Sequence, residues 1–478
     1  MFDNYLESEF VQLKLNIETS VGESTPTEAE YGVPLPLVEV GVSRLDDYQE
    51  SLEYLVNLTT FGINFGLGRI QELLKRLGNP EKALRVVHVG GTNGKGSTTV
   101  MIARILQEAG YKVGVFTSPH LHDWRERMVI NGQMIPKEKV IQALRRVRSY
   151  LEAMVAEGFE HPTEFEVSTA LALLYFAEEN VDFALVEVGL GGAIDSTNVV
   201  SPLISVITNI GMDHMDYLGN DLISIAKVKA GIIKPHSIVV TASENPDVIH
   251  VFREQAKAVG VPLWLVGEDV RWESTWSGEL EQEFSLLGLN ATYSKLRLHL
   301  IGFHQLRNAA TAVTVCEILQ TKYGAHIPQE AIYAGLREVK WPGRLELLSL
   351  KPKILLDGAH NLDGARAIAQ AIPLYTRDHL ILCLGMLADK EREKVVNMLV
   401  PLADEIIITR PNSPRAGDWR ALGSLAEQHG RPVTCIEDPK EAVIFALSRL
   451  EENDMLCVTG SIYMLADARQ ALIDELKH

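Results

Sequence analysis

Residues 85–97 read RVVHVGGTNGKGS, and the parsing of that run decides the fold. It begins as a β-branched segment, Val86, Val87, His88 and Val89, of the kind that fills a buried strand. Glycines at Gly90, Gly91, Gly94 and Gly96 break it, and residues 97–103, STTVMIA, resume as an apolar helix. Strand, glycine loop and helix start form a cradle for phosphates. Backbone N–H groups converge on the anion, and the helix N-terminus adds about half a positive charge. Lys95 reaches the outer phosphates and Ser97 offers a hydroxyl to Mg²⁺. The general P-loop spacing asks for a glycine where Val89 stands, and here Gly96 intervenes between Lys95 and Ser97. A plain strand-to-helix turn needs less than four glycines with Lys, Ser and Thr, so the run reads as a nucleotide site.

The surrounding chain has 478 residues, room for two or three domains, and 46% of them are hydrophobic. No run approaches the roughly 18–20 apolar residues of a membrane span. The first ten residues, MFDNYLESEF, carry acids where a signal peptide carries Lys or Arg, so a cytoplasmic location and no membrane partner are expected. A formal net charge of −18 speaks against nucleic acid as a partner, yet a local cluster of cations can still hold a small anion. Four widely spaced cysteines form no CxxC pair and suggest neither a zinc site nor a redox motif.

Residues 1–45 are set apart by composition. Val11, Leu13, Leu15 and Ile17 alternate like a strand, and residues 18–36 read as a flexible linker. Farther on, Ile70, Leu73, Leu74 and Leu77 have helical spacing. Strands predicted over 112–116, 183–188, 203–208 and 237–241 alternate with helices, the mark of a mainly parallel, doubly wound sheet. Ligands in such sheets sit beyond the strand C-termini, where the glycine loop, Ser118, Glu187 and His214 all fall. Thr163 and Glu166 have capping-box spacing, which accounts for Glu166 without a catalytic role. Residues 268–300 read as a small antiparallel patch, a boundary is expected near Gly302, and a second α/β unit follows to the C-terminus.

Nine motifs then occur in one order: GGTNGKGS (90–97), TSPH (117–120), VEVGLGG (186–192), DSTNVV (195–200), GMDH (211–214), AKVKAGII (226–233), WPGRLE (341–346), DGAHN (357–361) and TGSIYM (459–464). Together they resemble the folylpolyglutamate synthase/dihydrofolate synthase family of the Mur ligase superfamily, over residues 46–478. The resemblance implies an extension at 1–45, an N-terminal P-loop ATPase domain with a mainly parallel sheet at 46–301, and a C-terminal Rossmann-like α/β glutamate ligase domain at 302–478. It further implies ATP-driven amide formation. A carboxylate of dihydropteroate or a folate attacks the γ-phosphate, and L-glutamate displaces phosphate from the acyl phosphate. A muropeptide-type ligase and a P-loop ATPase switch are the competing readings.

By motif position the resemblance assigns Thr92, Asn93, Gly94, Lys95, Gly96 and Ser97 to ATP, with Asn308 at the base, Arg344 at the phosphates and Asp357 as a further ATP contact. Two Mg²⁺ ions would draw on Ser97, Ser118, Glu187 and His214. From the residues alone a lone His is more often a satisfied polar group than a Mg²⁺ ligand. Lys229 corresponds to a carbamylated lysine of the family. It lies about 200° around its helix from Lys227, so at most one of the two faces the crevice. Asp195 and Ser196 fall in the pterin region. His360 and Ser461 fall on the glutamate side, an N-cap role for Ser461 standing equally open. Two lobes closing over the site would exclude water, and the enzyme is expected to act as a monomer.

Overall fold

The structure is a computed structural model that describes residues 47–62 and 64–477. The extension and its alternating segment lie outside the described residues. β-Branched runs form a first sheet from β1 (Val86–Gly90), β2 (Val113–Phe116), β3 (Met128–Ile130), β4 (Gln133–Met134), β5 (Phe183–Glu187), β6 (Pro202–Ile207), β7 (Ile238–Thr241) and β8 (Leu263–Leu265). Their order is β4-β3-β2-β5-β1-β6-β7-β8, with β3 and β4 an antiparallel edge on an otherwise parallel sheet. Every residue of β1 is buried, as a central strand covered on both faces requires. Its register pairs Val89 with Glu187 and Gly90 with Ile207, which brings three strand C-termini to the glycine loop.

The patch expected after residue 268 is a three-stranded antiparallel sheet, β9 (Arg271–Ser277), β10 (Gln282–Leu287) and β11 (Thr292–Leu298). Leu296, Leu298 and Leu300 are all buried on one side. A second main sheet comprises β12 (Glu346–Leu350), β13 (Lys353–Leu356), β14 (Leu380–Leu384), β15 (Glu405–Ile408), β16 (Val433–Cys435) and β17 (Met455–Thr459). It runs β12-β13-β17-β14-β15-β16 and is parallel except for β12. Among the described residues no helix is long and apolar enough to cross a membrane.

The expected boundary at Gly302 needs correction. The helix Phe303–Tyr323 does not open the second lobe. Leu306, Ala310, Val313, Ile318 and Leu319 share one core with Val87, Met101, Ile105 and Leu286, and that core extends through Leu336 and Val339. The second lobe has its own cores on the two faces of its sheet. We therefore place the division between Val339 and Glu346. A long apolar helix announces burial, but its sequence does not say in which core.

Other local expectations match. Ile70, Leu73, Leu74 and Leu77 are buried, and the helix Gly68–Arg76 stops just before Gly78. The capping box forms, with Thr163 Oγ1 accepting from Glu166 N and Glu166 Oε2 accepting from Thr163 N at 2.8 Å. Cys316, Cys383 and Cys457 are buried thiols, while Cys435 is exposed.

One buried acid not singled out from the sequence organises the antiparallel patch. Glu317 accepts from the backbone N–H groups of Leu289 (2.7 Å), Asn290 and Ala291 (both 3.2 Å) and from the Tyr293 hydroxyl (3.1 Å). An amide there would aim an NH₂ at donors. Glu317→Gln is expected to cost roughly 2 kcal/mol of stability in urea unfolding, with kcat unchanged at temperatures where it is folded.

Candidate active site

The glycine loop is shaped by what lies above it. Gly94 caps the helix Lys95–Glu108 in a left-handed conformation (φ 82°), and a Cβ there would sit 2.5 Å from Asn308 Oδ1. A Cβ at Gly96 would come within 3.1 Å of the Trp341 indole, which gives the unusual glycine between Lys95 and Ser97 a steric reason. Asn308 Nδ2 donates to Gln305 Oε1 (2.9 Å), and Gln305 Nε2 donates to Ser97 Oγ (3.2 Å). The start of the helix Phe303–Tyr323 therefore roofs the loop. Below it, Asn93 N donates to Asn209 Oδ1 (2.8 Å) and Thr92 Oγ1 to Gly211 O (3.2 Å), tying the loop to the segment after β6.

Two ammonium groups share one acceptor. Lys95 Nζ donates to Gly91 O and Thr92 O (both 3.2 Å), and Lys229 Nζ donates to the same Gly91 O (3.0 Å). Lys229 is buried and Lys227 exposed, as the helical angle between them requires. Burial, and then the charge of Lys95, push the Lys229 amine down to about 7.

Glu187 ends β5 beside the loop and accepts from Ser118 N (3.2 Å) at the end of β2. Burial pushes its carboxyl up, against the opposing pull of Lys95, the Ser118 N–H and Arg344. A buried carboxylate short of positive charge suits a hard cation. His214 has a left-handed backbone (φ 52°), uncommon outside glycine. Burial pushes its pKa down to about 4, leaving the neutral imidazole a metal needs. Among the described residues no three His, Cys, Asp or Glu side chains cluster closely enough to hold an ion alone. An ion here would also draw on serine hydroxyls, phosphate oxygens and water, a donor set that fits Mg²⁺.

The second lobe reaches the site by gripping Asp213 of the first lobe, a residue of the GMDH motif. Its carboxylate meets His360 Nε2 (3.3 Å), Asn361 Nδ2 (3.2 Å) and the Lys390 ammonium, all from the second lobe. Burial alone would raise the Asp213 carboxyl, but His360, His214 and Lys390 hold it far below the carboxylate range. Asn361 Nδ2 also donates to Asn93 Oδ1 (3.1 Å), so this latch reaches the glycine loop itself. Asn361 lies in a quoted motif; Lys390 lies in none, and no local signal marks it. Asp357 accepts from Leu345 N (2.8 Å) and Ala359 N (2.7 Å), with burial raising its carboxyl and Arg344 opposing. It holds the turn that presents Arg344.

Of these groups, Ser118, His214, Arg344, His360 and Lys390 border one cavity of about 330 Å³. Its walls include Ser118, Phe165, Asp195, Ser196 and His214 from the first lobe and Arg344, His360 and Ser461 from the second. Ser461 is also the N-cap of the helix Ile462–Glu475, accepting from Tyr463 N, so both of its readings are compatible. Arg127, not singled out from the sequence, lines the same cavity, its Nη1 donating to both carboxylate oxygens of Glu164 (3.0 and 3.2 Å).

Residues 89–316 match the Mur ligase middle domain and residues 343–462 the Mur ligase glutamate ligase domain. The chain is 38% identical over 427 residues to the dihydrofolate synthase/folylpolyglutamate synthase of Bacillus subtilis, covering 89% of this chain and 99% of that one. It is 33% identical over 430 residues to the folylpolyglutamate synthase of Lacticaseibacillus casei, again 89% and 99%. Among solved structures, Mycobacterium tuberculosis folylpolyglutamate synthase complexed with ADP superposes with a TM-score of 0.82 at 31% identity, covering 89% of this chain and 99% of that chain. Escherichia coli FolC in complex with DHPP and ADP gives 0.81 at 29%, covering 92% and 100%. The chain belongs to the folylpolyglutamate synthase/dihydrofolate synthase family, ATP-dependent ligases built from Mur ligase domains.

Proposed function

We propose that this chain activates the carboxylate of a pterin-bearing acid with ATP and couples it to the amine of L-glutamate, the acid being a reduced folate, dihydropteroate or both. The observation that carries this reading is a cavity lined by Ser118 and His214 on one side and by Arg344, His360 and Ser461 on the other, with Glu187 bonded to Ser118 N and Lys95 close enough to act on the charge of Glu187 and His214. The bound molecules named for the relatives support it: ADP in the Mycobacterium tuberculosis structure, DHPP and ADP in the Escherichia coli one.

In this reading the loop from Thr92 to Ser97 binds the phosphates, Asn308 borders the base, and Asp357 orients the turn carrying Arg344. Ser97, Ser118, Glu187 and His214 would hold two Mg²⁺ ions, which offset the repulsion between carboxylate and triphosphate. Lys95 stabilises charge on the transferring phosphoryl group. Asp195 and Ser196 line the side for the acid, and His360 and Ser461 the side for glutamate. Every one of these groups comes from a single chain, which supports a working monomer. The latch at Asp213 holds the lobes together and keeps water from the acyl phosphate.

The deciding assay follows ADP release by the purified protein with dihydropteroate or tetrahydrofolate, each with and without L-glutamate. Release that needs both the pterin acid and glutamate is expected. ATP hydrolysis indifferent to both would favour a P-loop switch, and a response only to a muropeptide acid would favour the other ligase branch. Arg344→Ala is expected to lower kcat by roughly 10²-fold while changing the KM for ATP far less, the signature of a contact made in the transition state. Equal losses in both would remove that role from Arg344.

A further inference from the structure

Behind the acid-binding wall, Asp195 is backed by a buried polar chain whose inner members, Thr197 and His88, none of these roles uses. Asp195 accepts from Leu190 N on Oδ2 (2.6 Å) and from Thr197 N on Oδ1 (2.9 Å), and Oδ1 also takes the Thr197 hydroxyl proton. That hydroxyl has one hydrogen to give, so at its 2.8 Å contact with His88 Nε2 it accepts. His88 is thereby fixed as the Nε2–H tautomer. The other ring nitrogen agrees: Nδ1 is buried with no hydrogen-bond partner. His88 is fully buried in the middle of β1, between Val87 and Val89. An imidazole there with one nitrogen unsatisfied is less favourable than an aliphatic side chain of similar size. Burial, reinforced by Lys234, pushes its pKa down to about 3, so it takes no part as a charged group. Stability gives no reason for a histidine at this point in the strand.

We infer that His88 is a positioning residue for the acid substrate. Through the Thr197 hydroxyl it holds the Asp195 carboxylate in one orientation at the cavity wall. A carboxylate offers about four acceptor sites. The N–H groups of Leu190, Thr197 and Gly189 and the Thr197 hydroxyl all turn toward it from within the fold, so its orientation, and with it the shape and charge of the wall, is set before the ligand arrives. The same strand that delivers the phosphate loop thus also sets the wall against which the acid docks. The inference rests on the reading that the pterin-bearing acid occupies this cavity.

The test uses the full-length enzyme with the acid that the wild type turns over. Thr197→Val keeps the shape and removes the hydroxyl, His88→Leu removes the donor, and Thr197→Ser restores the chain. Glu317→Gln serves as a destabilised control remote from the cavity. Thr197→Val and His88→Leu are expected to raise the KM for the acid by about 10-fold, the equivalent of one charged hydrogen bond, with the KM for ATP nearly unchanged. Thr197→Ser should recover most of the loss. Nitrogen-15 spectra of the wild type should show His88 as a non-titrating Nε2–H ring across about pH 5–8. The inference is overturned if both KM values rise together, if the variants lose only stability as Glu317→Gln does, or if His88 titrates or carries its proton on Nδ1. A wild type with no acid-dependent ADP release defeats the functional reading and this role with it. The spectra would still report whether the His88–Thr197 chain exists.

Discussion

Replacing Lys95 with alanine is expected to lower ligase turnover by roughly 10³-fold or more, leaving the melting temperature close to that of the wild type. The structure shows why the two effects separate. The Lys95 ammonium is hydrogen-bonded to carbonyls of its own loop, Gly91 and Thr92, and among the described residues no carboxylate is ion-paired with it. Its removal therefore breaks no ion pair, and Glu187, which loses one of the cations offsetting its burial, keeps the Ser118 N–H and Arg344. The helix Lys95–Glu108 is meanwhile secured by Met101, Ile102, Ile105 and Leu106 in the first core. In the proposed mechanism what is lost is the cation of the phosphate loop, in a site that already holds Glu187 and Asp213. Steady-state ADP release and a thermal melt on the same preparation check this. Near-normal glutamate-dependent turnover by a folded Lys95→Ala enzyme would remove Lys95 from the mechanism. Because Lys95 is the second cause depressing the Lys229 pKa, the two lysines should also be coupled. Their double mutant is expected to lose much less than the product of the single losses.

The parts of this site that could be read in the sequence were those with a local physical signature. Strand, glycines, Lys and Ser within 13 residues declare a phosphate loop, because only backbone freedom and a helix start can make one. The capping box of Thr163 and Glu166 is equally local and formed as expected. The choice between Lys227 and Lys229 needed only the helical repeat, and burial of Lys229 resolved which of them faces inward. What escaped was non-local. Asp213 becomes a latch only because His360, Asn361 and Lys390, about 150 to 180 residues away, arrive from the other lobe. Gln305 matters because a helix assigned to the second lobe packs instead over the glycine loop, and Trp341, from the segment after Val339, covers Gly96 from far along the chain. His88 looked like one more strand residue, since nothing near it in the chain reveals Thr197 at 2.8 Å.

Lys229→Ala is expected to lower kcat by about 10²- to 10³-fold, and the wild-type activity is expected to depend on dissolved CO₂. Two ammonium groups on the single Gly91 carbonyl are an unfavourable pair, and Lys229, the more buried, is the one whose pKa falls, to about 7. The sign is clear. The folded pKa lies below the unfolded value, so below about 7 the folded state carries the full cost of the buried charge. As pH rises from there toward the unfolded value, that cost is relieved and stability increases. Near pH 7 roughly half of these amines are neutral and nucleophilic. Attack of the nitrogen lone pair on CO₂ forms an N–C bond and releases one proton, giving a carbamate. That exchange turns the repelling neighbour of Lys95 into an attracting one and adds anionic oxygen beside a proposed cation site. Three measurements should agree. Native mass spectra in bicarbonate should show one acid-labile CO₂ adduct that is absent from Lys229→Ala. Stripping CO₂ from wild type at mildly alkaline pH should depress kcat, and bicarbonate should restore it. Acetate or propionate, which can place a carboxylate in the vacated space, should partly rescue Lys229→Ala. Full activity in Lys229→Arg, which keeps a permanent cation and cannot form the carbamate, would show that Lys229 acts only as a positive charge.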